Sequence, residues 1–376
     1  MNRHHPFRKA KKAFNGSQEL GDAPTCLSGT EVLQKVTRIG YVYGKCSKKK
    51  KGEEKADPIL PWKKRSIFFD LEYWEFLHVR HILDVMHVEK NVCESIIGTL
   101  LDVSHKSKDG LKSRLDLQDM GIRTKLHPKV GDKKTYLPQS TYTLTKEEKK
   151  RFCNLLSALK VPDGYGSNLR NCVSMEELKL FGLKSHDYHT LMQQILPVAL
   201  RGLLDKKVRT TITRVSRFFN AICSKVVDAS KLASLQEEFT TTMCLLEKYF
   251  PPSFFDITVH LMIHLVREVQ FCGPVRLTWM YPHEWNMKVM KGYVRNCSQP
   301  EGCIAECYIV EEGMEYCSEY LTSVESVGVP STRNESGADV GKRISSGRVH
   351  TPKQIELEQA QLFVVENTTE INPYIK

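Results

Sequence analysis

The chain has 376 residues, 41% hydrophobic and 26% charged, with 55 Lys and Arg against 44 Asp and Glu, a net charge of +11 and a pI near 9.0. That length buries a sizeable core and ordinarily fills about two or three domains, and the composition is globular rather than disordered. The positive surplus favours a polyanionic partner such as nucleic acid, a balance that ribosomal and nuclear proteins share.

Twelve cysteines contain no C-x-x-C pair, the usage of a reduced intracellular protein and not of a disulfide framework. No apolar run approaches the ~18 residues a membrane span needs, so no membrane partner is expected. The basic stretch 1–12 lacks the apolar segment of a secretory leader.

Residues 1–65 are basic and broken, with Arg8, Lys9, Lys11, Lys12, then Lys48 to Lys51, then Lys63, Lys64 and Arg65, and little regular structure is expected there. A four-lysine run reads first as a solvated loop and second as a nuclear-targeting or phosphate-contacting patch. Residues 66–145 open on dense aromatic and aliphatic sequence. Leu83, Val85, Met86, Val88, Val92, Ile96 and Ile97 recur near 3.6 residues, which predicts one or two buried helices over 79–101. Gly110 and Gly121 break the next stretch into short pieces.

Residues 146–321 form the expected helical domain. Thr145 with Glu148, and Ser174 with Glu177, have the capping-box spacing that starts a helix. Further helices are expected from Tyr188 to Leu204, kinked at Pro197, and from Val208 to Cys223. Another places Leu232, Leu235, Phe239, Met243 and Leu246 on one face, and Pro251-Pro252 ends it. Ser253 is the expected cap of the helix carrying His260 and His264. Strands are suggested only at Arg276–Met280 and near Tyr136, so the predicted fold is mainly α. Residues 322–350 read as a flexible linker, and Thr351-Pro352 as the opening of a last helix in 351–376.

His260 and His264, four apart, share a helix face and could hold a divalent metal; with Asp256 and Arg267 they equally make a polar, solvent-facing stripe. Asp84-x-x-His87, with His78, His81 and Glu89 nearby, is a second candidate, and a hydrogen-bonded network is its plainer reading. Glu284, Lys288, Lys291 and Arg295 recur at steps of four, three and four. A carboxylate above three cations could bind Mg²⁺ beside DNA phosphates, or make solvated i,i+4 pairs. Residues 188–223, with Arg201, Lys206, Lys207, Arg209, Arg214 and Arg217, are strongly cationic and carry a weak helix-turn-helix signal for DNA contact. No phosphate-binding glycine motif is present, so no nucleotide cofactor is expected.

The blocks Arg80–Glu94 (RHILDVMHVEKNVCE), Ser113–Arg123 (SRLDLQDMGIR), Gly182–Pro197 (GLKSHDYHTLMQQILP), Phe250–Asp256 (FPPSFFD) and Trp279–Glu284 (WMYPHE) closely resemble plant CACTA (En/Spm-type) transposases. The match runs in order from about residue 4 to the C-terminus. Its later part, roughly 180–310, resembles the plant domain of unknown function that follows the transposase core. The resemblance implies a nuclear DNA transposase with an RNase H-like core, in which three carboxylates hold two Mg²⁺ ions.

In relatives of this group a helical insertion precedes the final Glu, and an H-x-x-x-H pair shares a structural Zn²⁺ with a C-x-x-C pair. By that pattern His260 and His264 are half of a zinc site, Asp84 and His87 are possible substitutes for the cysteines, and Glu284 is the third carboxylate. The residue after that Glu is usually Arg, where this chain has Trp285. Both catalytic aspartates and the cysteine pair are expected upstream of residue 1. The expectation is a catalytically incomplete fragment that binds DNA, with Lys288, Lys291, Arg295, Arg209, Arg214 and Arg217 as contacts, or that interacts with host nuclear proteins. The alternative is a working part of a metal-dependent transposase that acts with an intact partner, or a truncated reading frame.

Overall fold

The computed structural model describes residues 5–14, 16–18, 20–22, 25–37, 39, 65–131, 134–160, 169–320 and 354–367. The expected linker 322–350 and the lysine run 48–51 lie outside the described residues. The protein is mainly helical, and it divides into two compact units, Met1–Lys288 and Val289–Lys376. No helix among the described residues is long and apolar enough to cross a membrane.

The first unit begins with α1 (Pro6–Lys9) and α2 (Gly29–Val36). Ser28 and Glu31 close a capping box at α2: Glu31 N–H donates to Ser28 Oγ at 3.2 Å, and Ser28 N–H to Glu31 Oε2 at 2.7 Å. α3 (Val85–Leu100) starts six residues later than the periodicity suggested, because Asp84 Oδ1 accepts Met86 N–H at 3.1 Å and so caps it. The segment before it is tied down by Leu83 N–H donating to Glu268 Oε2 at 2.9 Å. α3 is buried on nearly every face, as a central helix must be.

α4 (Leu111–Asp119) lies between the two breaking glycines, and Gly121 takes the left-handed conformation (φ +64) that ends it. The hairpin β1 (Lys129–Val130) and β2 (Thr135–Tyr136) pairs Lys129 with Tyr136. α5 (Lys146–Ser157) opens on the predicted Thr145–Glu148 capping box.

The Ser174–Glu177 box does not start a helix. Glu177 N–H does donate to Ser174 Oγ at 3.3 Å, yet Leu178 is left-handed (φ +51) and the chain reverses. β3 (Val173–Ser174) and β4 (Lys179–Leu180) pair antiparallel instead. A capping bond needs only one turn, and no apolar stripe comes after it here to extend the helix.

α6 (Ser185–Thr190) runs through a π turn at Leu191–Ile195 into α7 (Leu196–Ala199). Pro197 has no N–H to donate, and the widened turn before it accommodates the missing bond. The expected continuation to Leu204 stops at Ala199, where the chain turns through left-handed Gly202 (φ +76) and Leu204 (φ +58).

α8 (Lys206–Ile222) is capped by Asp205, whose Oδ1 accepts Lys207 N–H at 2.8 Å, and buries Val208, Ile212, Val215, Phe219 and Ile222. α9 (Leu232–Tyr249) buries Leu232, Phe239 and Leu246 on the predicted face, and Phe239 stacks on Phe218.

α10 (Ile257–Cys272) is capped by Asp256, not Ser253. Asp256 Oδ1 accepts from Thr258 and Val259 N–H at 3.0 and 3.2 Å, whereas Ser253 Oγ turns to Ser113 Oγ, 3.0 Å away, and to the Lys108 carbonyl. The expected strand at Arg276–Met280 is also absent: Val275–Leu277 is a 3₁₀ turn leading into α11 (Tyr281–Tyr293). An isolated strand here has no neighbouring edge to satisfy its backbone groups.

One core joins α3, α5, α6, α7, α8, α9 and α10 with Tyr142, Leu144, Phe250 and Phe254, so it spans both sides of residue 145. The second unit holds the end of α11, then α12 (Pro300–Tyr320) and α13 (Gln354–Asn367). The Tyr293 hydroxyl donates to Glu311 within it.

Candidate functional site

Four segments of the first unit bring polar side chains together in an otherwise apolar interior. Glu89 sits on the buried face of α3 and is 1% exposed. Its Oε2 is 2.6 Å from His189 Nδ1, and Gln193 Nε2 donates to Oε1 at 3.0 Å. Gln193 Nε2 is also 3.0 Å from His189 Nδ1, because residues four apart share one helix face. Cys223, the C-cap of α8, completes the group: ligand atoms of Glu89, His189 and Cys223 all lie within 4.8 Å of one another.

Burial pushes the Glu89 carboxyl above its ordinary value against the lowering effect of His189, and burial followed by the Glu89 charge pushes the Cys223 thiol up. The Trp279 ring stands edge-on to both His189 and Tyr281, at 5.3 and 5.5 Å. The Tyr281 hydroxyl is buried without a hydrogen-bond partner among the described residues. Burial raises its pKa, and the charges of Glu89, Cys223, Glu284 and Asp84 act in the same direction.

A more exposed layer lies beside this cluster. His87 bonds through Nδ1 to Asp84 Oδ2, and its Nε2 is 3.4 Å from Glu284 Oε1. The His87 and Glu284 side chains are each 46% exposed. Glu284 occupies the first turn of α11, where the helix dipole favours a carboxylate. The structure thus brings Glu284 to the Asp84–His87 pair, which the sequence had grouped apart from it.

His260 and His264 do share one face of α10, with Nε2 atoms 3.2 Å apart. His264 lines a surface pocket with His78, His81, Arg267 and Glu268. Burial, then His260 and Arg267, hold its pKa below the ordinary imidazole value. A structural zinc needs four ligands. Among the described residues, no third His, Cys, Asp or Glu puts a ligand atom within 4.8 Å of both, and His87, bonded to Asp84, faces Glu284 instead of completing the set. The pair alone does not fit a structural zinc. Nor does Glu284 fit a two-Mg²⁺ site, since His87 stands between it and Asp84 and no bridging carboxylate set forms among the described residues.

The predicted DNA contacts divide by what they touch. Arg209 Nη1 donates to the Leu203 carbonyl at 2.9 Å. Arg214 binds Thr242 Oγ1 and the Glu238 carbonyl, at 2.9 and 3.1 Å, and so holds α8 to α9. Arg217 is exposed on α8, and Lys288 is exposed on α11. In the second unit Lys291 and Arg295 are exposed.

The cationic stretch expected at 188–223 gains a neighbour not anticipated from the sequence where α5 meets the turn before α8. Glu148 Oε1 accepts Leu204 N–H at 2.9 Å, which pins the two together. Arg151 of α5 reaches the same turn, with Nη2 3.9 Å from where a Cβ on Gly202 would stand. Arg151 is thereby placed at the turn that carries Arg201 and leads to Lys206 and Lys207, and these four, with Lys146 and Lys150 on α5, are all exposed. Only the carboxylate at the third helical position of α5 hinted at this, and its second partner is tertiary.

Residues 222–335 match the family described as "Domain of unknown function (DUF4218)". No curated protein and no solved structure matches the chain. The matched span includes Cys223, His260, His264, Glu284, Lys288, Lys291 and Arg295, and leaves out Asp84, His87, Glu89 and His189.

Proposed function

We propose that this chain is a transposase-derived, nuclear DNA-binding protein of the CACTA (En/Spm) type that does not cut DNA by itself. The observation that carries the reading is the cationic surface of α5 and α8. Six Lys and Arg side chains are exposed there, Lys146, Lys150 and Arg151 on α5, and Arg201, Lys206 and Lys207 in and after the turn that the Glu148–Leu204 bond ties to α5. Among the described residues, the one ion pair these six make joins Lys150 to Glu147 at 3.3 Å. Such a surface contacts phosphates without reading bases, so it supplies affinity rather than sequence choice. The net charge of +11 supports it, as does the match at 222–335, a domain found in plant transposase-like proteins.

Binding of the full chain to a labelled DNA duplex, followed by anisotropy across a salt series, tests the proposal. Log affinity is expected to fall linearly with log salt, by about 0.9 for each phosphate contacted. Salt-independent binding, or none at low salt, would overturn it.

A second reading is favoured by one observation, the meeting of Glu284 with His87 and Asp84 at the surface. There Glu284 supplies a carboxylate to an intact transposase that provides the remaining ligands. In a strand-transfer assay with such a partner, Glu284→Gln then lowers the yield, and equal yields end this reading.

A further inference from the structure

We propose that Glu89, His189 and Cys223 form a binding site for a divalent transition metal of zinc's class, distinct from the His260–His264 pair. One carboxylate oxygen, one imidazole nitrogen and one thiol sulfur is a donor set that borderline-soft ions take. Each donor comes from a separate element, α3, α6 and the end of α8, and the three ligand atoms lie within 4.8 Å of one another. Ligands held about 2.0 to 2.3 Å from a tetrahedral ion stand roughly 3 to 4 Å apart, so closure asks for small side-chain movements only.

The competing explanation is a structural hydrogen-bond network of Glu89, His189 and Gln193. That network leaves Tyr281 out and reaches Cys223 only through Gln193. It also crowds His189 Nδ1, which faces Glu89 Oε2 at 2.6 Å and Gln193 Nε2 at 3.0 Å on the same ring atom. A single nitrogen can serve one of them at a time, whereas an ion takes the lone pair and frees Gln193. Binding converts the Cys223 thiol to a metal-bound thiolate and releases its proton to solvent, so uptake consumes no oxidant. The fourth position falls to a water.

The test uses the full chain, stripped with a chelator and titrated with Co²⁺ as the spectroscopic probe, then with Zn²⁺. The expected result is one ion per chain, tetrahedral ligand-field bands and a thiolate-to-cobalt charge-transfer band, all displaced by Zn²⁺. Cys223→Ser should abolish the charge-transfer band and weaken binding by roughly tenfold or more. His260→Ala/His264→Ala should leave both unchanged. Glu89→Gln should also weaken binding, but it empties a buried network, so Cys223→Ser decides if that variant fails to fold. A charge-transfer band that survives Cys223→Ser, a band lost with the histidine pair, or no stoichiometric uptake overturns the proposal.

Discussion

Glu148 serves two backbone donors at once: Oε2 accepts Thr145 N–H and Oε1 accepts Leu204 N–H, each at 2.9 Å. A helix cap and a tertiary tie therefore share one carboxylate. Removing it leaves an uncapped first turn on α5 and a half-buried N–H at Leu204 without its acceptor.

Glu148→Ala is expected to cost about 1–3 kcal/mol of stability at neutral pH, read from urea midpoints. Burial raises the Glu148 pKa, but the hydrogen bonds from Thr145 and Leu204 outweigh it and bring the value below 4.5. A depressed carboxylate contributes stability above its unfolded pKa and loses it as pH falls through the folded one. The gap between wild type and variant should therefore narrow under acid, below about pH 4. A gap that stays constant or widens contradicts the assignment.

Arg114 is the most demanding buried charge of the first unit. Its guanidinium binds Asp109 Oδ2 at 2.7 Å, the Leu126 carbonyl at 2.9 Å and the Pro138 carbonyl at 3.2 Å, and its side chain is 2% exposed. Arg114→Ala strands Asp109 and both carbonyls, at an expected cost of about 3–5 kcal/mol. Arg114→Lys keeps the charge without the planar fork and should fall between. Equal midpoints for Ala and Lys would show that the charge and its fork contribute nothing beyond the shared loss.

His264 should titrate below the ordinary histidine value of 6.5, an effect of burial first and of His260 and Arg267 second. NMR titration checks this, and His260→Ala should return the value only part of the way, since burial stays. The unfolded chain binds this proton more readily than the folded one. Stability should therefore fall as pH drops from the unfolded value through the folded value. A His264 pKa at or above 6.5 contradicts the account.

The helices α5, α8 and α9 are legible in the sequence because a local cap or a long 3.6-residue stripe specifies each one. Ser174 and Glu177 mislead because their bond is satisfied in a hairpin turn as well as in a helix. Ser253 has the residue type of a cap for α10, yet Asp256, three residues on, is nearer the first apolar residue and has the better acceptor.

The sites are less legible than the helices. Spacing groups Glu284 with Lys288 and Lys291, whereas its partner is His87 on a different helix. Glu89 does carry a signal: it falls on the stripe of Val85, Val92 and Ile96, where an unpaired carboxylate would not be tolerated. Its partners His189 and Cys223 come from distant elements, and only packing brings them together.

The most direct test of the central claim compares the full chain with the triple variant Arg151→Glu/Lys206→Glu/Lys207→Glu in duplex-DNA binding across a salt series, after circular dichroism and thermal melting show the same fold. All three side chains are exposed, so the fold should survive the change. The account predicts an affinity loss of roughly tenfold or more at low salt, with the salt slope reduced by about 0.9 for each contact removed. Unchanged affinity and slope in the folded variant would contradict it.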